Sequence, residues 1–133
     1  MPYSLLNQEP LEDFFQKCDK RGMGIIIGAP YASGILATGV SKESSYNYAA
    51  LEESIVKRVE AIERIGSYHQ VPLKAASLQF PLGHLMVASI IPGANQPGHV
   101  LDTLEMMKHP IPDNYWEDLK NEGLLHPEAP IPA

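Results

Sequence analysis

The sequence predicts an α/β fold with parallel strands, and three observations carry that reading. Met23 to Ile27 is a short continuous apolar run rich in β-branched isoleucine, bracketed by Gly22 and Gly28. Met86 to Ile91 is a second such run, ended by Pro92-Gly93. Runs of this kind between turn formers mark strands buried on both faces, as in parallel sheets. Around them lie stretches with apolar residues at helical spacing, so strands alternate with helices and right-handed crossovers follow.

Taken in order, Glu9-Pro10 opens a helix, since proline's missing N–H is not needed in a first turn. Leu11, Phe14, Phe15 and Cys18 give it one apolar face, and Gly22 caps it. The strand Met23–Ile27 follows, then a loop from Gly28 to Leu36, and a polar loop over Lys42–Tyr48. The next helix spans about Ala50 to Tyr68, with Leu51, Ile55, Val59, Ile62 and Ile65 inward. Glu53/Lys57 and Glu60/Arg64 are i, i+4 pairs on its solvated side. Pro72 opens a helix to about Leu82 with Leu73, Ala76 and Phe80 inward, and the strand Met86–Ile91 comes after it. Pro97 opens a helix that turns Val100, Leu101, Leu104 and Met107 inward. A last helix, about Asp113 to Glu122, presents Tyr115, Trp116 and Leu119. Residues 126–133 hold three prolines and are expected to be extended or disordered. Two strands, with a stub at Tyr3–Leu6, are few for a self-sufficient sheet.

The chain has 133 residues, enough for one domain that buries roughly two-thirds of its unfolded surface. A formal net charge of −6 argues against nucleic acid as a partner, because phosphates repel a net anion. The basic pairs Lys20-Arg21 and Lys57-Arg58 do not extend into longer runs. Cys18 is the only cysteine, so neither an internal disulfide nor a CxxC motif is possible. The first fifteen residues lack a basic region and a long apolar stretch, and the longest apolar run, near Gly24–Pro30, is far short of the ~20 residues that span a bilayer. A soluble, cytoplasmic protein with no membrane partner is the expectation.

Gly22-Met23-Gly24-Ile25-Ile26-Ile27-Gly28 is not a dinucleotide fingerprint, because its spacing is wrong and its glycines bracket the strand instead of following it. The loops after the strands are more informative. In a parallel barrel the active face is built from such loops, and the phosphate site often uses those after the last two strands with a helix N-terminus. Ile91 to Gln96, leading into the helix at Pro97, has that form, and Gly93 leaves room for close approach. A plain strand-to-helix turn reads the same way on spacing alone. The five histidines show no metal spacing, and Glu52, Glu53, Glu60 and Glu63 read as a solvated helix face. Cys18 reads as packing, while Tyr46 and Tyr48 lie in a loop that could cover a ligand.

The segment GIIIGAPYASGILATG, within Met23–Gly39, resembles the seventh strand and following loop of aldo/keto reductases. ASIIPGANQPGHVLDTL, from Ala88 to Leu104, resembles their eighth strand and the loop and helix that grip the adenosine phosphate of NAD(P)H. Pro2 to Leu6 resembles the end of their sixth strand. Ile111 to Leu125 is similar to the tail of the branch holding aldose (fucose/galactose-type) 1-dehydrogenases and pyridoxal dehydrogenases. The resemblance implies a partial (β/α)8 TIM barrel, from the end of strand six to the C-terminal helices, over residues 1–125. It implies a nicotinamide cofactor and, for the parent, hydride transfer from a sugar lactol or similar alcohol. Tyr3 would stack on the nicotinamide. Pro30, Tyr31, Ser33, Gly34 and Leu36 would lie along the pyrophosphate, and Gly93, Ala94, Asn95, His99, Asp102 and Thr103 would surround the adenosine end. Asn95 stands where a basic residue often pairs with the 2′-phosphate, so of NAD and NADP the former is favoured. Thr103 stands where asparagine usually reads the adenine. The family's catalytic Asp, Tyr, Lys and His come from the first half of the barrel, and no residue here matches their motifs. The expected partners are therefore the cofactor and either the missing barrel half or a second copy of this chain, which open strand edges would favour.

Overall fold

The computed structural model describes residues 2–40, 45–46, 49–50 and 52–132, with the backbone alone at 45–46 and 49–50. The Lys42–Tyr48 loop lies largely outside the described residues, as do Leu51, Tyr48 and the side chain of Tyr46. The elements are α1 (Phe14–Asp19), β1 (Ile25–Gly28), α2 (Ile35–Thr38), β2 (Ser45–Tyr46), β3 (Ala49–Ala50) and α3 (Glu53–His69), then α4 (Leu73–Gln79), β4 (Val87–Ile91), α5 (Pro97–Lys108) and α6 (Asp113–Asn121).

Both apolar runs form strands, and they pair with each other in parallel. Ile25 stands opposite Val87 and Ile27 opposite Ile90, with a register shift after Ile25 that steps past Ala88. The chain between them crosses over through α2, α3 and α4, as the alternation of strand and helix requires. Ser45–Tyr46 and Ala49–Ala50 pair antiparallel, where a loop and then a helix start were expected.

The helix expected from Glu9 to Cys18 is two pieces: a 3₁₀ turn at Glu9–Leu11 and then α1. Asp13, at φ −146°, leaves the helical region and separates them. Gly22 caps α1 as predicted, in the left-handed conformation. The stub at Tyr3–Leu6 is no strand. It is a tight turn closed by Ser4 N donating to Asn7 O (2.9 Å) and Asn7 N to Ser4 O (3.1 Å). Helix α4 ends earlier than expected, at Gln79, because Phe80-Pro81 tightens the chain into a second 3₁₀ turn through Gly83.

The core is one cluster around Trp116, Tyr115, Phe80, Tyr3, Ile27, Ile62 and Leu119. Val59, Ile62 and Ile65 put one face of α3 into it, and Tyr115, Trp116 and Leu119 do the same for α6. Fully burying an aliphatic side chain of this kind is worth about 1.5–3 kcal/mol, so these faces fix α3 and α6 together. Glu53 and Lys57 pair as predicted (2.8 Å), but Arg64 reaches across to Glu122 (2.7 Å) instead of back to Glu60. Arg58 donates to the carbonyls of Leu5, Leu6 and Leu124, which ties the N-terminal turn and the segment after α6 to α3.

Helix α5 departs most from expectation. None of its residues is buried, and the stripe of Val100, Leu101 and Leu104 faces outward. Its principal packing partner is α4, and among the described residues nothing covers the stripe. The tail turns at Pro127–Glu128, where the Ala129 amide donates to the His126 carbonyl (2.9 Å), and it is docked: Ala129 is buried, and the backbone of Pro130–Pro132 lies directly against Gly83. The His126 amide donates to Gln8 Oε1 (2.6 Å), joining the tail to the N-terminal turn.

Candidate functional site

The loops after β1 and β4 meet at one end of the parallel pair, and α4 and α5 form the wall beside them. The result is a groove of about 440 Å³, inside the roughly 300–1,000 Å³ range of small-molecule sites.

The first wall is the loop after β1, and its backbone is unusual. Ala29 (φ 52°), Ala32 (φ 48°), Ser33 (φ 62°) and Gly34 (φ 92°) all lie in the left-handed region. Only the glycine enters that region freely, and each of the others costs about 1–2 kcal/mol. Hydrogen bonds and burial hold them there. Ala32 N donates to Ala29 O (3.0 Å), while Gly34 N and Leu36 N share Tyr31 O (3.1 and 3.0 Å). Ile35 and Leu36 are buried beneath, and Ser77 of α4, whose hydroxyl donates to the Leu73 carbonyl (2.7 Å), lies 3.5 Å from the Leu36 carbonyl.

The second wall is polar. Tyr31 of the β1 loop and Thr103 of α5 both line it. Burial holds the Tyr31 hydroxyl above its ordinary range, while the nearby Thr103 side chain and the Lys74 charge pull it the other way. Lys74 Nζ donates to Asp102 Oδ2 at 2.9 Å, joining α4 to α5. The floor is apolar, made of Ala29, Pro30, Ala32 and Ala37. Gly34 and Gly93 have nothing within 4 Å of a notional Cβ, so a ligand could approach their backbone closely.

Of the residues the sequence singled out, the structure gathers Pro30, Tyr31, Ser33 and Gly34 from the first loop. Across from them it places Gly93, His99, Asp102 and Thr103. Leu36 supports the loop from below, buried and out of reach of the groove. Ala94 and Asn95 do not line it, although the Asn95 amide donates to His99 Nδ1 (3.5 Å). Tyr3 is not brought to the groove. It is fully buried among Phe15 (4.9 Å between ring centroids), Phe80 (5.0 Å) and His84 (6.3 Å). Among the described residues its hydroxyl has no hydrogen-bond partner, and burial pushes its pKa up. The turn at Ser4–Asn7 folds this segment into the core, so no face of the ring is left for a ligand.

Sequence reading missed Ala29, Ala32, Ala37, Thr38 and Lys74 as lining residues. Lys74 did leave a signal: it sits in the first turn of α4, where a cation is disfavoured by the helix dipole. Asp102 of α5 meets that charge (2.9 Å).

The fold and groove can be set beside known proteins. The sequence profile of the Aldo/keto reductase family matches residues 1–121. The chain is 37% identical over 123 residues to pyridoxal 4-dehydrogenase of Microbacterium luteolum, covering 92% of this chain and 36% of that protein. It is 31% identical over 124 residues to D-threo-aldose 1-dehydrogenase of a Pseudomonas species, covering 92% and 38%. Among solved structures, an aldo-keto reductase of Bacillus halodurans superposes with a TM-score of 0.66 at 21% identity, over 95% of this chain and 42% of the other. Glycerol dehydrogenase of Gluconobacter oxydans superposes at 0.70 and 14% identity, over 98% and 43%. The chain thus spans well under half the length of these relatives. No helix among the described residues is long and apolar enough to cross a membrane. A profile matched over nearly the whole chain, with the two strands and their loops arranged as that resemblance required, makes this chain a member of the aldo/keto reductase family.

Proposed function

We propose that this chain forms the cofactor-holding part of an NAD(P)-dependent oxidoreductase acting on a sugar lactol or a similar alcohol. In the parent barrel it would run from the end of the sixth strand to the C-terminal helices. One observation carries the reading: the two loops that the family resemblance assigns to the cofactor are far apart in sequence and converge on a single groove. The groove suits a dinucleotide in kind. It has an apolar floor, open backbone at Gly34 and Gly93, and hydrogen-bonding groups on Ser33, His99 and Thr103. The bound nicotinamide would supply the redox chemistry, and these residues would orient it and exclude water from one side. Nothing in the chain matches the family's Asp, Tyr, Lys and His set, so turnover requires residues supplied from outside this segment.

A titration of the purified chain with NADH and with NADPH, followed by nicotinamide fluorescence and calorimetry, tests the reading. Saturable binding of at least one is expected, without dehydrogenase turnover. A folded chain that ignores both refutes cofactor holding, and turnover by the chain alone refutes the absent catalytic set.

A second reading has its own support, in the uncovered stripe of Val100, Leu101 and Leu104 and the single pairing partner of β1 and β4. The chain would then act as a self-assembling, non-enzymatic protein. Sedimentation would show a concentration-dependent dimer that dissociates when Leu101 and Leu104 are replaced by serine.

A further inference from the structure

We propose that the Lys74–Asp102 ion pair selects the nucleotide, favouring a dinucleotide with a free ribose hydroxyl over one carrying an additional phosphate monoester. The inference rests on the cofactor reading above.

Among the described residues, Lys74 is the only lysine or arginine lining the groove. It is not free to meet an anion, because its ammonium is 2.9 Å from Asp102 Oδ2. The two charges cancel, so this wall offers no net attraction to a phosphate, and the net charge of −6 adds none from a distance. A phosphate monoester carries nearly two negative charges at neutral pH. To be paired here it must draw Lys74 away and then sit beside the abandoned carboxylate. A ribose hydroxyl makes the opposite demand. It donates to a carboxylate, which is how acidic residues commonly read the free ribose of NAD. Asp102 has a second oxygen for that bond while the first holds Lys74.

The pair is also well placed to keep its geometry. Lys74 is on α4 and Asp102 on α5, and these helices pack together. Gln79 of α4 donates to the carbonyls of Met106 (2.8 Å) and His109 (2.9 Å), fastening the far ends of the same two helices. Discrimination thus comes from a carboxylate that occupies the local cation, and losing the carboxylate should turn the same lysine into a phosphate ligand.

The test uses the 133-residue chain and its variants D102N, K74Q and the double variant, with NADH and NADPH as probes. The unmodified chain should bind NADH the tighter. D102N should tighten NADPH by about tenfold or more, weaken NADH, whose ribose hydroxyl loses its charged acceptor, and steepen the salt dependence of NADPH binding. K74Q should weaken NADPH further, and the double variant should fall between the two. Each side chain is 39% exposed, and a partly exposed pair of that kind contributes little to stability, so the folds should survive. A D102N chain that binds NADH yet keeps the original NADH:NADPH ratio overturns this inference and leaves the cofactor reading standing. Failure of every form to bind either nucleotide overturns both.

Discussion

Gly66 lies in the last turn of α3, where an alanine would ordinarily help. In an exposed helix interior, glycine to alanine gains up to about 1 kcal/mol. Here a second term opposes it. A Cβ on residue 66 would stand 2.6 Å from the Val71 carbonyl oxygen. That oxygen is backbone and cannot swing aside. Val71 is buried, its amide donates to Gly66 O (2.8 Å), and Gln70 before it is fixed in the left-handed conformation at φ 58°. Overpacking of this sort costs about 1–3 kcal/mol. The clash should win, leaving Gly66→Ala less stable by about 1–2 kcal/mol. Gly98 in the first turn of α5 is the control, because a Cβ there meets nothing within 4 Å. Gly98→Ala should therefore stabilise, by about 0.5 kcal/mol. Urea unfolding followed by the fluorescence of buried Trp116 reads both, with midpoints moving in opposite directions at constant slope. At this size each kcal/mol corresponds to about 4 °C in a thermal melt. A Gly66→Ala chain as stable as the original, with the same slope, would refute the close approach of α3 to the turn at Val71.

Two further outcomes follow from the packing. Gly83→Ala would place a methyl within 2.7–2.9 Å of the backbone of Pro130, Ile131 and Pro132, so the tail should undock, losing hydrogen-exchange protection at Ala129 and becoming open to carboxypeptidase. Equal protection in both chains would show that the tail does not dock there. His84 is packed on Phe15 (4.4 Å), its Nδ1 accepts from the Met86 amide (3.1 Å), and burial lowers its pKa, against a weaker opposing pull from Asp19. Its folded pKa lies below the unfolded value, so its contribution is present above about pH 6.5 and lost as pH falls from there through the folded pKa. The melting temperature should drop over that range, less steeply in His84→Gln. An identical pH slope in the two chains would remove His84 as the cause.

The two strands were legible because their signal is local: Ile25–Ile27 and Val87–Ile91 are short β-branched runs closed by glycine or proline. Helix α6 was legible because Tyr115, Trp116 and Leu119 define a face that has a core to enter. Helix α5 shows the limit. Its apolar spacing forecast a helix correctly, but spacing says only that a face is apolar and not that the same chain supplies a cover for Val100, Leu101 and Leu104. Tyr3 failed for a related reason, since its placement depends on Phe15, Phe80 and His84 arriving from elsewhere. The site was half legible. Glycines and prolines in the two loops marked where the backbone turns, whereas Lys74 belongs to a helix that carries no loop signature and enters only through its pairing with Asp102.

The left-handed residues of the β1 loop bear on where binding affinity is set. Ala29, Ala32 and Ser33 are held in a costly backbone shape by hydrogen bonds to their own neighbours and by Ile35 and Leu36 beneath. The ordering of that wall is completed when the chain folds, so an arriving ligand meets a preorganised surface and loses none of its binding energy to stiffening it. Affinity in this groove is accordingly open to change from below. A smaller side chain at Leu36, buried beneath the loop, would loosen that wall, while glycine at Ala32 or Ser33 would relieve strain in the folded chain and give back the same order as floppiness.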